Sequence, residues 1–185
     1  MYEGIDTVVL YEELAYEDVL PVYWRLLPND VDHAVFASFA ERNLRLLQAC
    51  AALEEHVPAD KKQDEVAPDI VRLDLKINLL LDLVGQILAA NSPRPKAVPI
   101  RFNALGAAWE ASGPAPQPGA QGVLEIYLRD CLVQPLRLVG RIGGASEGKI
   151  KAKFIHPGEA IADLIEKLAF RRHRRQVAGA RQPKK

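Results

Sequence analysis

The sequence predicts an α+β fold, with a helical stretch set between an N-terminal strand and a later run of short strands. Two observations predict it. From Val66 to Leu88 apolar residues recur at alternating spacings of four and three, the period of a helix face. After Asn91–Pro99, where Pro93, Pro95 and Pro99 forbid helix continuation, the period becomes two, and several short alternating segments follow with no long helix between them. That succession argues for an antiparallel barrel or sandwich.

Taken in order, Glu17 to Leu27 (EDVLPVYWRLL) sets β-branched and aromatic residues around Pro21 and reads as a strand entering the domain, with Pro21 placing it at an edge or a bulge and Pro28 ending it. Asp30 or Asp32 can cap a helix running to about Val57, whose apolar face reads Phe36, Phe39, Asn43, Leu46, Cys50, Leu53 and Val57. The charged linker Pro58–Glu65 is short, so this helix and the next are expected as antiparallel neighbours, a helical hairpin. KAVPIRFNALGAAW reads as a strand through Phe102 and then a small-residue turn to Trp109, and Gly113–Gly122 as a Pro/Gly-rich loop. VLEIYLRD alternates Leu124, Ile126 and Leu128 against Glu125, Tyr127 and Arg129. PLRLVGRI sets Leu136, Leu138 and Ile142 against Arg137, Val139 and Arg141, and KIKAKFI sets Ile150, Ala152 and Phe154 against three lysines. A closing helix carries the stripe Ile161, Leu164, Ile165 and Leu168, able to cover the barrel, and QVAGARQPKK reads as a flexible basic tail.

The Val66–Leu88 helix has a seam without a polar break. Ile70, Ile77 and Val84 take heptad position a, and Val66, Leu73, Leu80 and Ile87 position d. Leu81 and Leu88 fall at e and Leu83 at g, where a two-stranded coil carries charges, so the apolar face is wide enough for more than one neighbour. The competing reading is a core helix of one globular domain.

Charge balances at 24 against 24, which speaks against a general nucleic-acid binder, but residues 1 to 33 hold eight acids and one base while 166 to 185 hold eight bases and one acid. Such termini can attract each other or face different partners. Cys50 and Cys131 belong to no CxxC or Cys/His cluster and read as two buried thiols, so no metal site is expected. Asp74, Lys76 and Asp82 interrupt the longest apolar window, and the acidic N-terminus lacks the basic region of a signal peptide, so no membrane insertion and a cytoplasmic location are expected.

Gly143–Lys149 (GGASEGK) fits the outline of a phosphate loop, yet Ile150 replaces the hydroxyl residue and a strand follows where a helix is needed, so it reads as a hairpin turn. RRHRR, Arg171–Arg175, reads as a cationic helix end on the macrodipole. The four histidines are scattered with no nucleophile or paired carboxylate at a catalytic spacing, so no catalytic residue, no cofactor and no enzyme activity are expected.

The entry strand EDVLPVYWR, the segment FNALGAAW, the strands VLEIYLRD, PLRLVGRI and KIKAKFI, and the closing helix ending in RRHRR together resemble a PilZ domain, the six-stranded barrel with which bacteria sense cyclic di-GMP. The helical insertion resembles the atypical, tetramer-forming PilZ branch of xanthomonad-like bacteria. The resemblance implies a six-stranded antiparallel PilZ-type β-barrel made of residues 1–29 and 96–175. It also implies an inserted two-helix, heptad-bearing coiled-coil hairpin in an oligomerisation region, 30–95, with a C-terminal helix and a basic tail, 176–185.

Ligand-binding members use an RxxxR loop and a later [D/N]xSxxG turn: arginines stack on guanine and grip phosphate, short polar residues hydrogen-bond, and glycine permits close approach. Here Asn103 matches the first position of the turn, but Leu105 stands in place of Ser and Ala108 in place of Gly. RxxxR occurs at Arg137/Arg141 and Arg171/Arg175, both after Asn103 where the family places the pair before it, and Arg94 is followed four residues later by Val98. The motif is degenerate. The resemblance therefore implies a non-catalytic adaptor in cyclic di-GMP-linked signalling, in pilus motility or virulence, with a protein partner there. It self-assembles, as a homotetramer, through Ile70, Leu73, Ile77, Leu80, Leu81, Val84, Ile87 and Leu88, without binding the nucleotide itself. The alternatives are a genuine receptor that recruits Arg94, Arg101 or the Arg171 cluster, and a nucleic-acid binder working through Arg171–Lys185.

Overall fold

The computed structural model describes residues 14–28, 33–54, 68–91, 94–111, 113–146 and 148–180. Among them are strands β1 (Tyr16–Leu26), β2 (Ala97–Phe102), β3 (Gly106–Glu110), β4 (Gln121–Ile126), β5 (Leu136–Ser146) and β6 (Lys149–Phe154), and helices α1 (His33–Glu54), α2 (Pro68–Asn91) and α3 (Glu159–Ala180). The strands close into an antiparallel barrel in the order β1-β2-β3-β6-β5-β4. The expected α+β architecture, a six-stranded barrel with helices inserted after its first strand and one at its end, is the one observed.

β1 closes the barrel by changing partners. Tyr16–Pro21 pairs with β2 and Val22–Leu26 with β4. Pro21 lies at the handover, where its missing N–H costs no ladder bond and its carbonyl accepts from the Tyr127 N–H at 3.1 Å. It marks neither an edge nor a bulge, because closure removes the edge.

Interior positions alternate with exterior ones, as the strand readings require. Ile150, Ala152 and Phe154 point in with Leu136, Leu138, Ile142, Leu124 and Ile126. The segment expected as a small-residue turn is corrected: Gly106–Glu110 is a strand, paired with both β2 and β6. Its small residues reflect crowding. A Cβ on Gly106 would lie 2.5 Å from the Ala152 carbonyl oxygen. The glycine-rich segment before Lys149 is the β5–β6 hairpin, with Ser146 paired to Lys149 and Gly148 at φ 75°.

Of the face expected for α1, Leu46 and Cys50 enter the core and Asn43 is 3% exposed, Phe36, Phe39 and Leu53 are half-buried, and Val57 lies outside the described residues; Leu47, off that face, is buried too. The Asn43 amide donates from Nδ2 to the Arg137 carbonyl at 2.7 Å and accepts at Oδ1 from the Arg137 N–H at 2.9 Å, so one side chain continues the ladder of β5. α1 packs on β5 and α3, and among the described residues it makes no extended contact with α2. The capping aspartates and the 58–65 linker lie outside the described residues.

α3 buries Ile161, Ile165 and Leu168, and Leu164 packs at the margin of the core. It continues to Ala180, so 176–180 of the stretch expected as tail is helix, and RRHRR sits inside α3 and not at its end. Cys50 is buried as expected, whereas Cys131 is only half-buried, because it lies in the β4–β5 connection.

Candidate functional site

Two regions bear on function: the degenerate turn after β2 and the surface of α2. In the first, Asn103 is 2% exposed and works within its own hairpin. Its Oδ1 accepts from the N–H groups of Leu105 (2.9 Å) and Gly106 (3.1 Å), an Asx-type turn that joins β2 to β3. Leu105 stands out at the surface, while Ala108 is buried on the outer wall between Arg101 of β2 and Lys151 of β6. A cavity of about 290 Å³ opens there, lined by Glu17, Asp18, Arg101, Ala108, Trp109 and Lys149 among others. The fold thus brings Ala108 to a cavity but leaves Asn103 and Leu105 out of it. The lining pairs two carboxylates with two cations, and Arg101 is ion-paired with Glu17.

The other arginines that could grip a phosphate hold the protein together. Arg94 donates to the carbonyls of Arg129 (3.3 Å), Asp130 (2.9 Å) and Leu132 (3.0 Å), pairs with the Asp130 carboxylate at 3.1 Å, and stacks over Tyr127. Arg137 shares the buried Glu125 carboxylate with Arg25, both at 2.8 Å. Within RRHRR, Arg171 donates to the Ala51 carbonyl of α1 and Arg172 pairs with Asp18 of β1 at 2.8 Å. These contacts, and not a helix macrodipole, account for the first two arginines of that run.

The second region is α2. Ile70, Leu73, Ile77, Leu80, Val84 and Ile87 share one face, and each is between 44% and 61% exposed. Leu79 and Leu83 extend the apolar surface beyond the seam. On a helical wheel the exposed apolar arc runs from position a through d, g and c to Leu75 at f, roughly 220° of the circumference. Leu81 and Leu88, half-buried, lie off that arc and share a stripe with buried Gly85. A Cβ on Gly85 would sit 3.3 Å from the Cys131 backbone nitrogen, so the helix rests closely on the β4–β5 connection and a side chain there would press on it by a few tenths of an ångström. Heptad counting singles out the a and d residues. It gives no signal for Gly85 or for the Asn43 clasp, because both depend on tertiary neighbours.

Among the described residues no group of His, Cys, Asp and Glu is arranged to hold a metal ion, and no helix is long and apolar enough to cross a membrane.

Residues 44–182 match the family model described as atypical PilZ domain, cyclic di-GMP receptor. Among solved structures, the chain is similar to a pathogenic protein from Xanthomonas campestris, described as a new tetrameric PilZ domain self-assembled via an unusual helical bundle. The two share 27% sequence identity and a TM-score of 0.61, over 89% of this chain and 90% of that one. No curated protein matches the sequence.

Proposed function

We infer a function from one established point, that this chain belongs to the atypical PilZ domain family: it is a non-catalytic scaffold of cyclic di-GMP-linked signalling that assembles through α2 into a homotetramer. The observation that carries this reading is the exposure of all six seam residues from Ile70 to Ile87. A face that wide and that apolar calls for a partner, and its arc exceeds the narrow seam of a two-stranded coil, as a multi-helix bundle requires. The tetrameric relative, self-assembled through a helical bundle, supports the same reading.

The family is described as a cyclic di-GMP receptor. We propose that this member does not bind the nucleotide at the usual place. Asn103 Oδ1 is engaged in its hairpin, Leu105 and Ala108 offer no polar group, and at the adjacent cavity Glu17 and Asp18 offset Arg101 and Lys149, so the lining offers a phosphate no net positive charge. The role is then that of an adaptor whose protein partner sits in cyclic di-GMP-dependent processes such as pilus motility or virulence.

Native mass by light scattering, with and without cyclic di-GMP, together with isothermal titration, tests both halves. A tetramer of about 82 kDa from 20.5 kDa protomers, unchanged by the nucleotide and giving no binding heat, is the expected result. A monomer at micromolar concentration overturns the assembly reading. Saturable heat with loss upon Arg101→Ala favours instead a receptor with a non-standard site.

A further inference from the structure

Arginines elsewhere on the barrel are held within the fold: Arg25 and Arg137 share Glu125, Arg94 pairs with Asp130, and Arg172 pairs with Asp18. Three cations on the outer wall of β5 and β6 are placed differently. The register sets Arg141 directly opposite Lys153, and Lys151 stands two residues away on the same face of β6. Their other lateral neighbours are Gln121 beside Arg141, Gly106 beside Lys153, and Ala108 and Gly144 on either side of Lys151. Lys149, the next along, faces Glu110. Among the described residues, however, none of the three has a carboxylate opposite it or forms an ion pair.

Like charges directly opposite each other across a strand pair are destabilising, so the fold itself gains nothing from the Arg141–Lys153 pair. The wall around it is low and open. A Cβ on Gly144 would meet nothing within 4 Å, and the small residues Gly106 and Ala108 flank the lysines on the other side. Two residues past Lys153 the same line reaches Ile155, 39% exposed; near it Leu105, 45% exposed, accepts at its carbonyl from the Phe154 N–H at 2.8 Å. The surface is cationic along β6 and aliphatic at one end.

Spacing and composition select the partner. Alternate residues of a strand recur about every 6.6 Å, the interval at which an extended peptide presents its own alternate side chains. None of the lateral neighbours is aromatic, so the wall lacks the stacking platform on which single-stranded nucleic acid relies.

We propose that the outer wall of β5 and β6, through Arg141, Lys151 and Lys153 with Leu105 and Ile155 at its end, is the docking surface for an extended acidic segment of a partner protein, one that carries an aliphatic residue beside its carboxylates. The proposal rests on the adaptor reading for the existence of such a partner, and it is independent of assembly through α2.

Fluorescence anisotropy of the full chain with a labelled peptide of alternating glutamate and serine ending in leucine tests it. At about 50 mM salt, where charges act over a long range, this peptide should bind saturably and its glutamine counterpart should not. R141Q/K151Q/K153Q should bind it about ten-fold more weakly, as the loss of three exposed charge pairs implies. L105S/I155S should weaken it several-fold while leaving a leucine-free version unaffected. K153Q should melt about 1–2 °C above the parent, because a like-charge cross-strand pair is gone; a lower Tm would mean that the cations serve the fold, and would overturn the proposal. So would the absence of saturable peptide binding, or binding that R141Q/K151Q/K153Q leaves unchanged. Tighter binding of oligothymidylate than of the peptide would overturn the protein partner in favour of nucleic acid. Assembly-defective I77D/L80D should bind the peptide as the parent does. Heat from cyclic di-GMP that R141Q/K151Q/K153Q leaves intact would sink the adaptor reading while the peptide contact stood, so the two failures read out separately.

Discussion

Replacing Asn43 with leucine keeps the size of a 3%-exposed side chain while deleting both of its bonds to Arg137, the 2.7 Å donor to the carbonyl and the 2.9 Å acceptor from the N–H. The strand backbone at Arg137 then has an unpaired donor and acceptor beneath α1. Each unsatisfied buried backbone group costs about 1–3 kcal/mol, and because these are part-buried the lower half of that range applies, about 3 kcal/mol for the pair. For a chain of this size each kcal/mol moves the midpoint by about 2–4 °C, so Asn43→Leu should lower Tm by about 6–12 °C. Asn43→Asp retains the acceptor but turns a carboxylate toward the Arg137 carbonyl, and should be at least as damaging. Thermal melts followed by circular dichroism at one protein concentration give the answer, since assembly makes Tm concentration-dependent. An Asn43→Leu protein melting within about 1 °C of the parent would mean that the apolar stripe alone docks α1.

Further outcomes follow from the same contacts. Each seam residue of α2 has about half its surface still to bury, worth about 1 kcal/mol, and a carboxylate in that interface costs several more; Ile77→Asp with Leu80→Asp should therefore give a monomer by light scattering with an unaltered barrel spectrum. Arg94→Lys cannot reach three carbonyls at once, and should lower stability by about 2 kcal/mol in urea titrations through the 129–132 turn. Gly106→Val would drive a side chain into the Ala152 carbonyl, 2.5 Å from a Cβ there, and should cost about 1–3 kcal/mol, read from the same titration.

Much of the barrel was legible because its signals are local. The lysine-flanked strand β6 declares its two faces in six residues, Lys149 to Phe154, and its neighbour β5 alternates nearly as plainly. β3 was not legible. Gly106, Ala107 and Ala108 have the composition of a turn, and only the closeness of β6 explains why nothing larger fits. The end of α3 was misread for a related reason. A run of arginines suggests a terminus, yet Arg171 and Arg172 are anchored by an α1 carbonyl and a β1 carboxylate that no periodicity announces. Linker length limits how far two helices separate, not which neighbour each prefers, and among the described residues α1 packs on β5 and α3.

The separation of α1 from α2 sharpens the argument for assembly. Had the two helices packed along each other, much of the α2 seam would be covered within one chain, and its apolar residues would need no further explanation. Instead α1 gives its stripe to the core through Leu46, Leu47 and Cys50, while α2 touches the barrel at Gly85 and leaves the six residues from Ile70 to Ile87 outside. At the other candidate site most polar groups that could recognise a nucleotide are engaged: Asn103 closes its turn through Oδ1 while its buried Nδ2 has no hydrogen-bond partner among the described residues, Arg94 clasps a loop, and Arg101 faces Glu17. A surface rich in unburied apolar area and a motif whose one surviving side-chain oxygen serves its own turn point the same way. In the proposed reading, self-recognition by this chain would lie in what α2 binds, because an aliphatic face that repeats along its heptads suits further copies of itself better than a charged nucleotide.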